Sequence, residues 1–373
     1  MDSIAKQGIS GTLLTLPEEF PTSSDVANMS VLGCDLASEY CGRGVLEAAS
    51  QGIKLSSEDV AFRCNLITVA PDGSLADFSG GHIAQEDAEE IITYLNEHLA
   101  TDKIRFYPGV SYRNLLILSG SEFSPDVFCE KPDDNSGNIV AEHMPRIEEG
   151  VEGADITLKT IMELTAKAAK LLPDAPINIK AAAEGRLPAN AVWFWSPGRA
   201  GSMRTLSERH GITSAVISAV DVINGLGRCL GMNVIPVEGA TGYIDTNYEG
   251  KAQAAIEAAK NHDLVYVHVE AIDEVSHACD LDLKIKAIED YDSKIVRPVM
   301  NALGDSYTYV ILPDHPVPIS HGKHTRTPPP VAICGPGIEP DNLQSYDETE
   351  AQKGALGELV GPDLMNFLYP TEK

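Results

Sequence analysis

Three clusters of side chains with the chemistry of cation ligands stand in the last third of this 373-residue chain. They are Asp273-Glu-Val-Ser-His277, Asp314-His315 and His324-Thr325. Carboxylate and imidazole together suit Zn²⁺ or Mn²⁺. Asp273 and His277 are four residues apart, so on a helical turn they share a face and can reach one ion. The adjacent Asp314 and His315 point different ways; the pair serves two ions, or the aspartate only caps a turn before Pro316. Ser24, in Pro21-Thr-Ser-Ser24-Asp25-Val-Ala-Asn28, precedes an apolar helical pattern at Val26, Met29, Val31 and Leu32. A serine at a helix start either caps it or, beside cations, accepts a phosphoryl group. Free N–H groups and the helix dipole favour an alkoxide or phosphate there.

Short apolar runs at 264–269 and 307–312 precede the first two clusters and read as buried strands. Runs at 192–195, 215–217, 234–237 and 331–334 read likewise, alternating with helical patterns at 248–260 and 283–303. In the latter Ile285, Ile288, Ile295, Val299 and Leu303 keep near-helical spacing. Such alternation predicts a doubly wound α/β core, mostly parallel, with sites at the carboxyl ends of strands. Residues 57–180 differ, with strands at 60–69 and 115–118, amphipathic helices at 85–99 and 156–172, and a polar loop at 131–137. They read as an inserted α+β cap, which divides the chain into core (1–56), cap (57–180) and core (181–373). Residues 1–8 read as a helix closing on Gly8 as its C-cap, followed at once by a strand at 9–16. An α/β domain seldom opens in mid-helix, so a strand is expected ahead of this helix.

With 43% hydrophobic residues the chain can build a large core, about two domains by length. Its net charge of −27 argues against nucleic acid and anionic membranes as partners. An anionic substrate therefore needs a local nest of arginine. Arg63 and Asn65 share one face of a strand by the period of two, and Arg113 precedes another strand, which makes a candidate phosphate clamp. His82 lies on the glycine loop Ser79-Gly-Gly-His82-Ile83, where it is an acid, base or ligand, or a plain surface histidine. Gly239-Ala-Thr-Gly242 reads as a tight β–α loop rather than a phosphate cradle. Seven scattered cysteines without CxxC, and no apolar run of about 20 residues, point to free thiols in a cytoplasmic protein.

These residues together resemble the archaeal-type cofactor-independent phosphoglycerate mutases of the alkaline phosphatase superfamily. Met1-Asp-Ser-Ile-Ala-Lys-Gln-Gly8, Ser24-Asp-Val-Ala-Asn28, Gly42-Arg-Gly44, Arg63-Cys-Asn65, Gly239-Ala-Thr-Gly242 and the three clusters carry the likeness, over essentially the whole chain. It implies an alkaline-phosphatase-like core that interconverts 3- and 2-phosphoglycerate through a phosphoserine at Ser24. The cofactors implied are two divalent ions (Mn, Zn or Mg) and no bisphosphoglycerate. Asp273, His277 and His324 would hold one ion, and Asp314, His315 and Ser24 the other. Arg63, Asn65 and Arg113 would meet the substrate from the cap, with Asn28 and His82 as further substrate contacts. The partner expected is a small phosphorylated or hydroxy acid, and a homo-oligomer is compatible with this.

Two departures open alternatives. The family begins with a strand ending in Asp-Gly, whose aspartate ligates the second metal; that segment does not precede residues 1–8 here. The resemblance then implies poor binding of the second ion, and a truncated, inactive homologue is one reading. His82 stands where archaeal mutases carry arginine. Gly81-His82-Ile83 with Trp193-Phe-Trp195-Ser-Pro-Gly198 resembles a bacterial branch proposed to be ATP-dependent homoserine kinases.

Overall fold

The computed structural model describes residues 1–201 and 203–370. The chain forms two compact units, Met1–Tyr40 with Met203–Lys373, and Cys41–Ser202.

The first unit is α/β and holds two sheets. In one, Asn233–Val234, Ser214–Ile217 and Leu264–Val267 run parallel in that order. Helices Asp221–Cys229 and Tyr248–Ala258 lie between them in sequence, as parallel pairing requires. In the other the order is Tyr309–Ile311, Pro330–Cys334, Ile9–Leu14, Gly357–Val360. Here Pro330–Cys334 is antiparallel to both neighbours, and only the Ile9–Leu14 and Gly357–Val360 pair is parallel. The segment between Ile311 and Pro330 contains no helix, so the chain returns without a crossover and pairs antiparallel. Leu13, Val31, Val331, Ile333 and Leu364 pack together as the core beneath this sheet.

Two local expectations change. Helix Asp2–Gln7 does end before Gly8, but Gly8 has φ −141° and is no left-handed cap. A Cβ there would sit 1.9 Å from the carbonyl oxygen of Ile333, so glycine serves the close approach of two backbones. The helix expected over 283–303 is Leu281–Tyr291, a π segment Asp292–Val296, and Arg297–Leu303. Pro298 has no N–H for the α ladder, and the wider turn just before it absorbs the missing bond.

The second unit is built on one antiparallel sheet. Its central strand, Asp59–Val69, pairs with Arg113–Ser119 and with Ala191–Arg199. The 192–195 run was expected among the core strands; it lies here instead. The compact unit accordingly runs from Cys41 to Ser202, where the sequence drew the insertion at 57–180. The two faces of this sheet differ by the strand period. Val60, Phe62, Cys64, Leu66, Leu116, Leu118, Val192 and Phe194 join Ile91, Ile92 and Leu95 of helix Gln85–Leu99 and Ile161 and Leu164 of helix Asp155–Leu171 in one core. The opposite face carries Arg63, Asn65, Trp193 and Trp195. Among the described residues no helix is long and apolar enough to cross a membrane.

Candidate active site

The first unit gathers all three clusters. Asp273 and His277 lie on helix Ala271–His277, which follows strand Leu264–Val267; helical spacing brings His277 Nε2 to 3.2 Å from Asp273 Oδ2. Asp314 and His315 follow Tyr309–Ile311, and His324 stands on the loop beyond. His324 Nε2 is 3.6 Å from Asp273 Oδ1, and His315 Nδ1 is 3.9 Å from the same oxygen. The His315 and His324 rings stack with centroids 3.9 Å apart.

Backbone carbonyls fix which nitrogens carry lone pairs. His277 Nδ1 lies 2.8 Å from Gly322 O, and His324 Nδ1 lies 3.1 Å from Thr22 O. A carbonyl only accepts, so both Nδ1 atoms carry the proton and both Nε2 atoms present lone pairs. Those two Nε2 atoms face each other at 3.0 Å. Two lone pairs at that distance repel unless a cation or a proton lies between them. Asp273 Oδ1 and His315 Nδ1 are buried with no hydrogen-bond partner among the described residues. Asp273, His315 and His324 each offer an atom within 4.8 Å of the others. Orphaned acceptors around one point are what a divalent cation would satisfy, so the residues fit a metal.

Ser24 is the first residue of helix Ser24–Val31, with Ser23 as N-cap and no side-chain cap bond. The Ser24 hydroxyl reaches the cluster, with Oγ 3.1 Å from His315 Nε2. Asn28, one turn on, donates its amide to Ser24 O and to Asp314 Oδ2, each at 2.8 Å. The structure therefore puts Asn28 among the cluster residues, tying serine to carboxylate. His315 Nε2 is also 3.4 Å from Asp314 Oδ2. Both ligand sets named from the sequence come together, with His315 linking them.

Electrostatics keep these groups in their ligand forms or ready for them. Burial pushes His315 and His324 down to about 4, so both imidazoles are neutral at pH 7. Burial raises Asp273 and Asp314 above the usual carboxylate range, with each other's charge adding to the effect on Asp273. A carboxylate disfavoured by burial gains most from an adjacent cation.

Sequence reasoning missed the surroundings. The Tyr266 hydroxyl donates to Asn28 Oδ1 and orients the amide that holds Asp314. Behind it His268 lies buried, Nδ1 3.1 Å from Ser218 Oγ and Nε2 3.4 Å from Glu270, with Lys251 Nζ donating to its carbonyl. Tyr266 and His268 occupy one apolar-looking run, and nothing in its pattern marked them as polar partners. The Gly239–Gly242 turn is a loop closed on itself. Thr241 N–H donates to Thr246 Oγ1, and Asn247 caps helix Tyr248–Ala258.

The second unit carries the arginines. Arg63, opposite Trp195 in the sheet, lays its guanidinium 4.2 Å over that indole. Arg63 is only 4% exposed, and burial, opposed by the Glu47 charge, lowers it to about 10. Asn65 pairs across the strands with Arg113. Its own amide is engaged: Oδ1 accepts from Trp195 Nε1 at 3.0 Å, and Nδ2 donates to Phe78 O. His82 is exposed at φ 54°, a left-handed conformation that non-glycine residues rarely adopt.

Fold and site together define the alkaline-phosphatase-like α/β class, here with a serine beside an Asp/His cluster whose residues fit a metal ion. Comparison with known proteins is narrower. The family model of 2,3-bisphosphoglycerate-independent phosphoglycerate mutase matches residues 5–178. The chain is 46% identical to the enzyme of that name from Methanosarcina acetivorans, over 99% of this chain and 91% of the relative. It is 44% identical to a probable one from Geobacter sulfurreducens, with the same two coverages. Among solved structures, the PH0037 protein from Pyrococcus horikoshii superposes with a TM-score of 0.80 at 26% identity, covering 100% of this chain and 90% of that one. The cofactor-independent phosphoglycerate mutase from Thermoplasma acidophilum shares the fold, with a TM-score of 0.65 at 24% identity, 98% of this chain and 89% of that one. The chain belongs to the 2,3-bisphosphoglycerate-independent phosphoglycerate mutase family.

Proposed function

We propose that this protein interconverts 3-phosphoglycerate and 2-phosphoglycerate by passing the phosphoryl group to Ser24 and back. The observation that carries the reading is Ser24 Oγ, at the start of its helix and 3.1 Å from His315 Nε2 inside the Asp/His cluster. In the first step the substrate P–O bond breaks, an Oγ–P bond forms, and the proton lost by serine is balanced by the one taken up by the released glycerate oxygen. In the second the Oγ–P bond breaks and the other hydroxyl of glycerate takes the group. Divalent cations held by Asp273, His277 and His324, and by Asp314, His315 and Ser24, would supply the Lewis acidity that lowers the hydroxyl's pKa and neutralises phosphoryl charge. Mn²⁺ and Zn²⁺ suit these donors best, with Mg²⁺ the third choice.

Asn28 holds the serine turn and the Asp314 carboxylate in one register. Arg63, and with it Arg113, supplies the positive charge that a doubly anionic substrate requires in a chain of net charge −27. Asn65 serves that site by orienting Trp195 under Arg63. His82 brings one donor where a permanent charge would bind an anion more tightly. An acidic surface and seven free cysteines fit a cytoplasmic enzyme of small acids.

The test is one assay panel: 3-phosphoglycerate alone, against ATP with homoserine, each with Mn²⁺, Zn²⁺ or Mg²⁺. Mutase turnover is expected, with an added phosphate on the Ser24 peptide after rapid quenching. Ser24→Ala should lose at least about a thousandfold in rate. Activity retained in that variant would rule out the covalent route. Homoserine phosphorylation in place of mutase turnover would make the protein a kinase.

A further inference from the structure

Helix Arg43–Ser50 lies against the arginine face of the second unit. The approach is close: a Cβ on Gly44 would fall 2.6 Å from Ala61 O and 3.1 Å from Ser196 O. It brings Glu47 to two guanidinium groups at once. Glu47 Oε1 is 3.2 Å from Arg43 Nε, one helical turn away on the same face. Glu47 Oε2 is 3.1 Å from Arg63 Nε on the neighbouring strand. The second contact is an ion pair off the line of a hydrogen bond, since Arg63 Nε has no hydrogen-bond partner. Arg63 is thus gripped on its Nε edge by Glu47 and on its plane by Trp195. Its two Nη groups have no partner among the described residues, although the side chain is almost wholly buried. A buried guanidinium with its terminal donors unengaged is set to receive a planar or tetrahedral anion. Arg43 and Arg113 both lie near enough to oppose its charge, while Glu47 is the carboxylate that favours it.

We propose that Glu47 is a positioning residue for substrate binding. Its single carboxylate bridges Arg43 and Arg63 and holds the Arg63 guanidinium towards the phosphate or carboxylate of the substrate. The inference rests on the reading that Arg63 meets substrate. It adds a residue that touches no substrate and works through Arg63, which does. Net charge and geometry make opposite forecasts here. Neutralising Glu47 makes this face one unit more positive, which by charge alone would tighten an anion. Losing the bridge releases the Nε edge of Arg63, which weakens it.

Steady-state kinetics with 3-phosphoglycerate on Glu47→Gln, Glu47→Asp, Arg63→Lys and the unaltered enzyme separate these. Thermal unfolding midpoints verify that each variant folds. Glu47→Gln should raise KM about tenfold or more and change kcat less than about twofold. Glu47→Asp, which keeps the charge but falls short of both arginines, should recover part of the loss. Arg63→Lys should raise KM at least as far as Glu47→Gln. If Glu47→Gln fails to fold, Glu47→Asp carries the test: KM should rise about threefold or more with kcat within about twofold, and an unchanged KM there overturns the positioning role. An unchanged or lower KM in Glu47→Gln, with Arg63→Lys impaired, overturns the positioning role alone. An unchanged KM in Arg63→Lys overturns the substrate reading of this face and the proposal with it.

Discussion

An imidazole binds a cation through a lone pair, and the partner of its other nitrogen decides where that lone pair points. Gly322 O and Thr22 O do this for His277 and His324, aiming both Nε2 atoms at one place beside Asp273. Removing one of three such ligands lowers both affinity and Lewis acidity. His277→Ala should therefore lose about one equivalent of bound metal and nearly all turnover, read by elemental analysis of purified protein and by assay. Full occupancy in that variant would sink the assignment. The residue types and the i,i+4 spacing of this site stand in the sequence. The tautomers do not, because carbonyls 45 and 302 residues away in sequence set them.

At the scale of elements, the short motif Gly42-Arg-Gly44 shows how packing uses a sequence signal. Gly42 has φ 77°, and a Cβ on it would meet Pro197 O at 2.3 Å. Gly44 faces Ala61 and Ser196 as closely. The two glycines let helix Arg43–Ser50 press onto the sheet, so that Glu47 reaches Arg63. A methyl at Gly44 must push the helix away. Gly44→Ala should destabilise the protein by about 1–3 kcal/mol and raise KM for 3-phosphoglycerate, measured by urea unfolding and kinetics. A variant as stable as the parent, with KM unchanged, would mean that the helix has slack and that its distance from the sheet is unimportant. Helix Leu281–Tyr291 and its continuation make the same point. The apolar period found the helix, while the π turn before Pro298 reflects a missing donor that the period cannot register.

At the scale of the molecule, acid stability reports on the buried polar groups of the first unit. Burial holds His268 down at about 4, among Ser218, Glu270 and Lys251, with Asp314 and His315 close enough to act on its charge. Below its ordinary value near 6.5 the unfolded chain takes up a proton that the folded chain refuses until about pH 4. Stability is therefore lost as pH falls through that window, by roughly 3 kcal/mol at most from this residue. Asp273, raised by burial, acts in the opposite sense and is common to both proteins in the comparison. The urea midpoint of the unaltered protein should fall more steeply from pH 6.5 to 4 than that of His268→Gln. Equal slopes would show that His268 titrates normally.

The sequence by itself determined the α/β class, the three Asp/His clusters, the serine at a helix start and the strand face that carries Arg63. Each follows from residue type and local period, which the backbone obeys before any long-range contact forms. Only the tertiary structure decided where strands go. The run at 192–195 is as apolar as a core strand, yet it pairs along Asp59–Val69, because pairing partners are chosen by packing and chain path. Tertiary contacts also carried Asn28, one turn from Ser24, on to Asp314, and carried Glu47, one turn from Arg43, on to Arg63. Those partners lie up to 286 residues apart, and no local pattern records an interaction at such separation.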